Sequence, residues 1–295
     1  MREELVRAAS ALLEKEGYRL FCCAGIHTCF DLVARRGEEL LLAKVLEDID
    51  AFGRGQARDL EKIAVLLGAK FLLLGEHAGS ERLQDGVLYE RHGVPVMGIG
   101  TLREIFIDGV LPSERKFKSL IVSIDGGRLA AARREANLTL DALAEKAGIS
   151  RETLWRYEHG RMGASEENAA ELERILGIGL RAPINPFEFK GVSIRERTIL
   201  SPVGFESVRA KSAPFDLAAK ERSKVIAGEE ADRRTMRKRA AAYDKISEVI
   251  ESRACFLLEK SAKDSIGGIP VVRKKEVKEM RKPRDLLKLI EERGD

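Results

Sequence analysis

The chain predicts two copies of a mixed α/β domain flanking an all-α domain of five helices. Three observations lead there. A block of sequence recurs once at long range, and the segment between its two occurrences carries helical periodicity around a glycine-centred turn. The composition, 34% charged and 44% apolar over 295 residues, supplies enough apolar material for real cores and too much charge for a membrane protein. The expected boundaries are residues 1–112, 113–180 and 181–295.

The repeat organises the reading. Cys29-Phe30-Asp31-Leu32-Val33-Ala34-Arg35 reappears as Pro214-Phe215-Asp216-Leu217-Ala218-Ala219-Lys220, an offset of 185. The same offset sets Ala69-Lys70-Phe71-Leu72-Leu73 on Ala254-Cys255-Phe256-Leu257-Leu258. After a shortened loop, Val94-Pro95-Val96 meets Ile269-Pro270-Val271, and Leu102-Arg103-Glu104-Ile105 meets Val277-Lys278-Glu279-Met280. A period this long marks two copies of a domain rather than a solenoid.

Each copy reads alike. Leu5, Ala8, Ala9, Leu12 and Leu13 recur at helical spacing, and Gly17 suits the helix end. Strands are expected over 18–24, 29–35 and 40–46, with a turn at Arg36-Gly37. A helix over 57–67 follows, then a buried strand over 71–74 and a last strand near 94–97. Thr101, with Glu104 three residues on, predicts a capping box for a final short helix. The resulting order gives a mixed sheet flanked by helices. In the second copy, Arg233 to Arg239 continues into a helix through 250, with Ala241, Ile246, Val249 and Ile250 as its apolar face.

Between the copies, the first helix is expected over 128–136. Thr139 caps a second over 140–147, Gly148 makes the turn, and Ser150 caps a third over 151–158. Leu143, Ala144, Ala147, Ile149, Leu154 and Tyr157 have the spacing that locks the third helix on the second. That placement turns Arg151, Glu152, Trp155 and Arg156 outward.

These residues carry two resemblances. Residues 128–178 resemble a Cro/cI-type helix-turn-helix of the lambda-repressor class, whose third helix enters the DNA major groove. The resemblance implies base reading at Arg151, Glu152 and Arg156, where arginine can bond guanine bidentately and glutamate can accept from cytosine. It also implies an ion pair of Arg133 with Glu158 tying the first helix to the third. The candidate DNA-binding residues are Thr139, Ser150, Arg151, Glu152, Thr153, Trp155 and Arg156. Some of these side chains can equally contact phosphate alone, and Trp155 can pack on a neighbouring domain.

The flanking copies resemble the restriction-endonuclease-like fold, in the branch that includes archaeal Holliday-junction resolvases. That resemblance implies an aspartate ending one strand and Glu-x-Lys on the next, with two carboxylates holding a divalent metal that activates water. Asp31 and Lys44 match, but Leu42 stands in place of the metal-binding glutamate. In the second copy Asp216 matches, and the ungapped alignment puts Ala227 and Glu229 at the next two positions. Glu38 and Glu39 fall on the turn, and Glu14 and Glu16 could supply only an outer carboxylate. No catalytic residue, metal or cofactor is expected. The domain order, with Ile124-Asp125-Gly126-Gly127-Arg128-Leu129 and Cys29-Phe30-Asp31-Leu32, is similar to a family of archaeal helix-turn-helix transcriptional regulators.

Charge points the same way. Residues 1–110 carry net −4, 111–180 are neutral, and 181–295 carry +8, which makes the last third a place to look for a polyanion. Arg233 to Arg239 with Lys274, Lys275, Lys278, Arg281, Lys282 and Arg284 could bind phosphates or be a solvated face. Two Gln and three Asn among so many ions hint at a hot environment. Cys22, Cys23, His27 and Cys29 invite zinc, but no second Cys/His pair follows, and buried strand thiols are the simpler reading. His77, His92 and His159 form no triad with a Gly-x-Ser-x-Gly elbow, and no phosphate-cradling glycine loop is present. Neither a secretory signal nor a spanning segment appears, so a cytoplasmic protein is expected. The expected function is a transcriptional regulator, not an enzyme, binding double-stranded DNA as a homodimer with no membrane association. The competitors are a nuclease for branched or modified DNA and an architectural protein that binds backbone without sequence choice.

Overall fold

The computed structural model describes residues 2–23, 28–116, 120–188 and 196–294. In chain order the first elements are α1 (Arg2–Lys15), β1 (Arg19–Cys22), β2 (Leu32–Arg36), β3 (Glu39–Val45), α2 (Arg54–Leu67) and β4 (Lys70–Leu74). Short strands β5 (His77–Ala78) and β6 (Glu81–Arg82) lead to β7 (Val87–Arg91), β8 (Val94–Met97) and α3 (Ile99–Arg103). Next come β9 (Glu114–Lys116), β10 (Leu120–Val122), α4 (Gly126–Glu135), α5 (Leu140–Lys146), α6 (Arg151–Glu158) and α7 (Glu166–Leu176). The last stretch holds β11 (Glu206–Arg209), β12 (Leu217–Lys220), β13 (Lys224–Gly228), α8 (Arg233–Ile250) and β14 (Ser252–Leu258). It closes with β15 (Ser265–Ile266), β16 (Ile269–Arg273), α9 (Lys274–Glu279) and α10 (Pro283–Gly294). Among the described residues no helix is long and apolar enough to cross a membrane.

The chain folds into two compact units. One gathers Met1–Glu81, Arg91–Val94 and Phe189–Asp295, so it holds most of both repeat segments; the other is Arg82–Glu90 with Pro95–Glu188. Within the first unit β1, β2 and β3 pair antiparallel and β4 joins β3 in parallel. The second repeat segment builds the same succession: β11, β12 and β13 antiparallel, then β14 parallel, followed by parallel β16. Leu40 to Val45 on β3 are all buried, as a strand covered on both faces requires.

Helix α2 begins three residues before its expected start. Gly53 precedes it, and the Gln56 side chain accepts from the Gly53 N–H at 3.2 Å. Its last turn ends on Gly68 in the left-handed region, φ +68°. Helix α8 ends the same way on Glu251, φ +57°, so the two caps correspond. The capping box expected at Thr101 does not form. Gly98 precedes α3 instead, and the buried Thr101 hydroxyl accepts from the Gly86 N–H at 2.9 Å. A long-range partner has won over a local cap.

The two repeat segments pack on each other through equivalent parts. Helix α2 lies against β11 and β12 of the second segment, and α8 lies against β1 and β2 of the first. Phe30 and Phe215, equivalent in the repeat, meet with ring centroids 6.3 Å apart. This is the arrangement of an isologous two-fold interface written into one chain. Asp59 of α2 accepts from the Ser212 N–H at 2.9 Å, and Lys62 pairs with Glu196.

Arg35 completes the joint. Its guanidinium is buried, and donates from Nε to Val249 O at 2.6 Å and from Nη2 to Ile250 O at 2.8 Å. Nη1 donates to Gly37 O at 3.0 Å and stands 3.3 Å from Glu251. Those carbonyls close α8 and have no intrahelical partner, so the cation satisfies them and opposes the negative end of the helix dipole. Replacing it by an apolar side chain of similar length removes the bond to Val249 O and leaves Ile250 O only a long one, 3.4 Å, from Lys224. Arg35→Met is expected to lower stability by about 2–4 kcal/mol, read as a lower urea midpoint by circular dichroism. An unchanged midpoint would mean that the joint does not depend on this cap.

Candidate nucleic-acid interface

Helices α4 to α7 close around one apolar core. Leu129, Leu143, Ala144, Leu154, Tyr157, Ala169, Leu172 and Leu180 are buried together. Each helix starts on a side-chain cap. Asp125 accepts from Arg128 N at 2.9 Å, Thr139 from Ala142 N at 3.1 Å, Ser150 from Thr153 N at 3.0 Å and Ser165 from Asn168 N at 3.2 Å. Gly148, φ +66°, turns the chain between α5 and α6, as its spacing predicts. Four helices stand here among the described residues where five are expected. Beyond Gly177 the chain runs extended, bridging Arg181 to Ile124, and Pro183 and Pro186 withhold the N–H groups that another helix would need.

Two features lock α6. Arg133 of α4 grips Glu158 with Nε–Oε1 at 2.6 Å and Nη2–Oε2 at 3.0 Å, and donates from Nη1 to Leu138 O at 3.0 Å. The Glu158 carboxylate beside it raises the Arg133 pKa further above its ordinary value. Gly126 is the second. A methyl group there would run into the backbone carbonyls of Tyr157 and Glu158, so only glycine lets α4 start against the end of α6.

The outward face of α6 carries what the sequence puts there. Arg151, Glu152 and Arg156 are exposed, while Leu154 and Tyr157 are buried beneath them. Arg151 Nε stands 3.3 Å from Asp141 of α5, and Arg156 donates to Glu152 at 2.5 Å. Both are exposed pairs of the kind that water and salt loosen, so the guanidinium groups stay available to a stronger acceptor. Thr139 and Ser150 engage their oxygens in capping, and the Thr153 hydroxyl lies 2.8 Å from that of Ser150. Trp155 is half-buried, stacked on His159 at 4.2 Å with the Arg161 guanidinium 5.0 Å from its ring centre. Asp141 and Arg161 were not singled out by sequence, because nothing local marks side chains that meet across a turn, and His159 was weighed only for a triad.

The second candidate centre is the strand aspartate of each copy. Asp31 is 1% exposed and Lys44 2%. The Asp31 carboxylate accepts from Lys44 Nζ at 3.2 Å, from Arg2 Nη2 at 2.7 Å and from the Val45 N–H at 2.8 Å. Lys44 also donates to Thr28 O at 2.6 Å. Leu42 is fully buried, and Glu39 is tied to Tyr18, Lys70 and Arg36 at the far end of the hairpin. A divalent metal needs several oxygen ligands, and one carboxylate already facing two cations does not fit it.

In the second copy the register corrects the ungapped alignment. Leu32 faces Ala43, whereas Leu217 faces Ala227, so Ala43 corresponds to Ala227, one short of the 185 offset. Between the equivalent pairs Arg35–Leu40 and Lys220–Lys224, the connection is one residue shorter in the second copy. Ile226 and Gly228, not Ala227 and Glu229, therefore take the places of Leu42 and Lys44. The next strand slips once more: Ala43 faces Leu72 and Ala227 faces Cys255, so Cys255 answers to Leu72 rather than Lys70. A side chain on Gly228 would collide with the Tyr243 ring. Asp216 accepts instead from Arg239 at 2.9 Å and from the Glu229 N–H at 2.7 Å. Glu229 turns to Arg209 at 2.7 Å. This donor set does not fit a metal either. Among the described residues no group of three or more Cys, His, Asp or Glu is placed to hold one.

Comparison with known proteins places this geometry. Residues 2–112 match the PD-(D/E)XK superfamily domain, and residues 129–182 match a helix-turn-helix family. A "Putative HTH-type transcriptional regulatory protein" of Methanothermobacter thermautotrophicus is 35% identical over 304 residues, covering 99% of this chain and 97% of that protein. Proteins of the same description from Pyrococcus horikoshii, 35% identical over 309 residues, and Natronomonas pharaonis, 33% over 316, match it over 98% and 100% of its length, and over 97% and 99% of their own. The chain belongs to this family. A solved SinR protein/SinI protein complex matches 19% of the chain and 55% of its own at 26% identity, with a TM-score of 0.18.

The remaining candidates of this HTH-type regulator divide. His27 lies outside the described residues, and Cys23, Cys29 and Cys255 are buried. Burial pushes the thiols of Cys23 and Cys29 well above their usual range and that of Cys255 up to about 12. Of the basic C-terminal residues, Arg239 holds Asp216 and Lys274 holds Glu259 at 3.0 Å. Arg234, Arg237, Lys238, Lys275, Lys278, Arg281, Lys282 and Arg284 are exposed. Glu158→Ala is expected to destabilise the helix-turn-helix unit by about 2–4 kcal/mol, since it leaves Arg133 half-sheltered without its carboxylate. Trp155, the single tryptophan, reports this by fluorescence during urea unfolding; an unshifted midpoint would remove the ion pair from any locking role.

Proposed function

We propose that this regulator reads a specific double-stranded DNA sequence with α6 in the major groove, as residues 113–180 acting between two non-catalytic α/β segments, 1–112 and 181–295. The observation that carries the reading is the outward face of α6. Arg151, Glu152 and Arg156 are exposed on a helix that Arg133, Glu158, Leu154 and Tyr157 hold rigid. Arg151 and Arg156 then bond base edges, Glu152 accepts from cytosine, and Trp155 contacts a thymine methyl or a sugar. Thr139, Ser150 and Thr153, at the N-termini of α5 and α6, lie along the phosphate backbone.

One recognition helix reads too few base pairs for specificity alone. A two-fold homodimer on a roughly palindromic site, with half-sites ~34–36 Å apart, meets that need. Because the α/β segments pair within the chain, the dimer uses another surface. The broken donor sets around Asp31 and Asp216 support a binding role over cleavage.

Arg151→Ala is expected to cost about 1–3 kcal/mol at the preferred site and to flatten discrimination at one base position, measured by competition binding at fixed salt. Equal weakening at every sequence, with a steep salt slope, would select the architectural reading instead. Incubation with supercoiled and four-way-junction DNA in magnesium or manganese is expected to leave both intact. Cleavage lost on Asp31→Ala or Asp216→Ala would replace the regulator by a nuclease.

A further inference from the structure

Where the two α/β segments meet, they form an open polar recess of about 450 Å³ that the DNA-reading role does not use. Five cations line it, Arg35 from the first segment and Lys220, Arg222, Lys224 and Arg253 from the second, against two carboxylates, Glu38 and Glu251. The ends of α2 and α8 also face it through Gly68 and Glu251. Each helix end brings about half a negative charge. Even counting both ends, positive charge remains in excess.

The partners of these cations show which are committed. Arg35 caps α8, and Arg253 pairs with Glu291. Arg222 is largely exposed and stands 3.8 Å from Glu221. Lys224 has one long hydrogen bond, 3.4 Å, to Ile250 O, a carbonyl that Arg35 already satisfies. No ion pair is formed by Lys220 among the described residues. It sits over the end of α2, its Nζ 3.9 Å from where a side chain on Gly68 would begin. Burial, then the neighbouring charges of Arg35 and Lys220, lower the Lys224 pKa, and Glu251 and Glu38 only partly offset them. Two ammonium groups thus share one recess, neither of them in an ion pair among the described residues.

We propose that this recess binds a compact, multiply charged phosphate ligand, held by Lys220, Lys224 and Arg222, whose charges outweigh the negative helix ends. Its volume lies within the range of small-ligand sites. Among the described residues no aromatic side chain lines it, so a nucleobase would find nothing to stack on, and the ligand class is a pyrophosphate or a similarly compact polyphosphate. Because residues of both segments line the recess, the bound anion ties them together and raises the melting temperature by mass action.

Isothermal titration of the full chain with sodium pyrophosphate in low-chloride buffer tests this. Saturable binding at one site per chain is expected, weakened about tenfold or more by Lys220→Gln and by Lys224→Gln. The conservative Lys220→Arg should retain binding, and Lys238→Gln, on the exposed part of α8, should leave it unchanged. Without ligand, Lys224→Gln should melt no lower than the parent protein, since it relieves repulsion. Absent saturation, or equal weakening by Lys238→Gln, would overturn the site in favour of diffuse polyanion attraction. A short random-sequence duplex that displaces pyrophosphate, and whose own binding falls with Lys220→Gln but not Lys238→Gln, would overturn the small-ligand assignment and give the recess to the DNA backbone. Neither result depends on whether α6 reads sequence.

Discussion

The guanidinium of Arg35 sits where helix α8 runs out of partners, and the pairing of the two α/β segments depends on that junction. A strand of one segment supplies the cap for the longest helix of the other. Reciprocal packing follows: α2 lies on β11 and β12, α8 on β1 and β2, and the repeated phenylalanines Phe30 and Phe215 meet between them. The duplication therefore buries its own interface, as a two-fold dimer would, at the fixed high effective concentration of a single chain.

Within that arrangement the strand aspartates Asp31 and Asp216 have a structural role of their own. Asp31 accepts the Val45 N–H and anchors Lys44 and Arg2, and Asp216 accepts the Glu229 N–H and anchors Arg239. Each carboxylate fixes the end of a strand next to the helix interface, and its charge is neutralised by neighbouring cations. Deleting either would leave buried or half-buried cations unpaired, a larger cost than the net worth of the pair itself. Each carboxylate here splices neighbouring strands.

The helix-turn-helix was legible almost residue by residue. The Arg133–Glu158 pair stands as the resemblance implies, and the bounds of α6, the caps Thr139 and Ser150, the turn at Gly148 and the inward Leu154 and Tyr157 all stand where spacing put them. These are local features, set by the 3.6-residue period and by hydrogen bonds three residues long. The repeat was legible for the same reason, since similar short blocks fold alike.

What sequence could not decide depended on partners far along the chain. The offset of 185 hid two one-residue slips that only the sheet register exposes, so Gly228 with the Tyr243 ring, rather than Glu229, occupies the place of Lys44. Thr101 has the spacing of a cap but bonds to Gly86. Arg35 reads as an ordinary strand-end cation until α8 arrives, 214 residues on. By itself the sequence determined helices α1, α2, α4, α5, α6 and α8, where α6 begins and which of its faces turns outward, because those follow from periodicity and capping within a few residues. Only the tertiary structure decided that the two α/β segments close on each other and gather their cations around one recess, because strand register and helix docking are settled by contacts that no local pattern encodes.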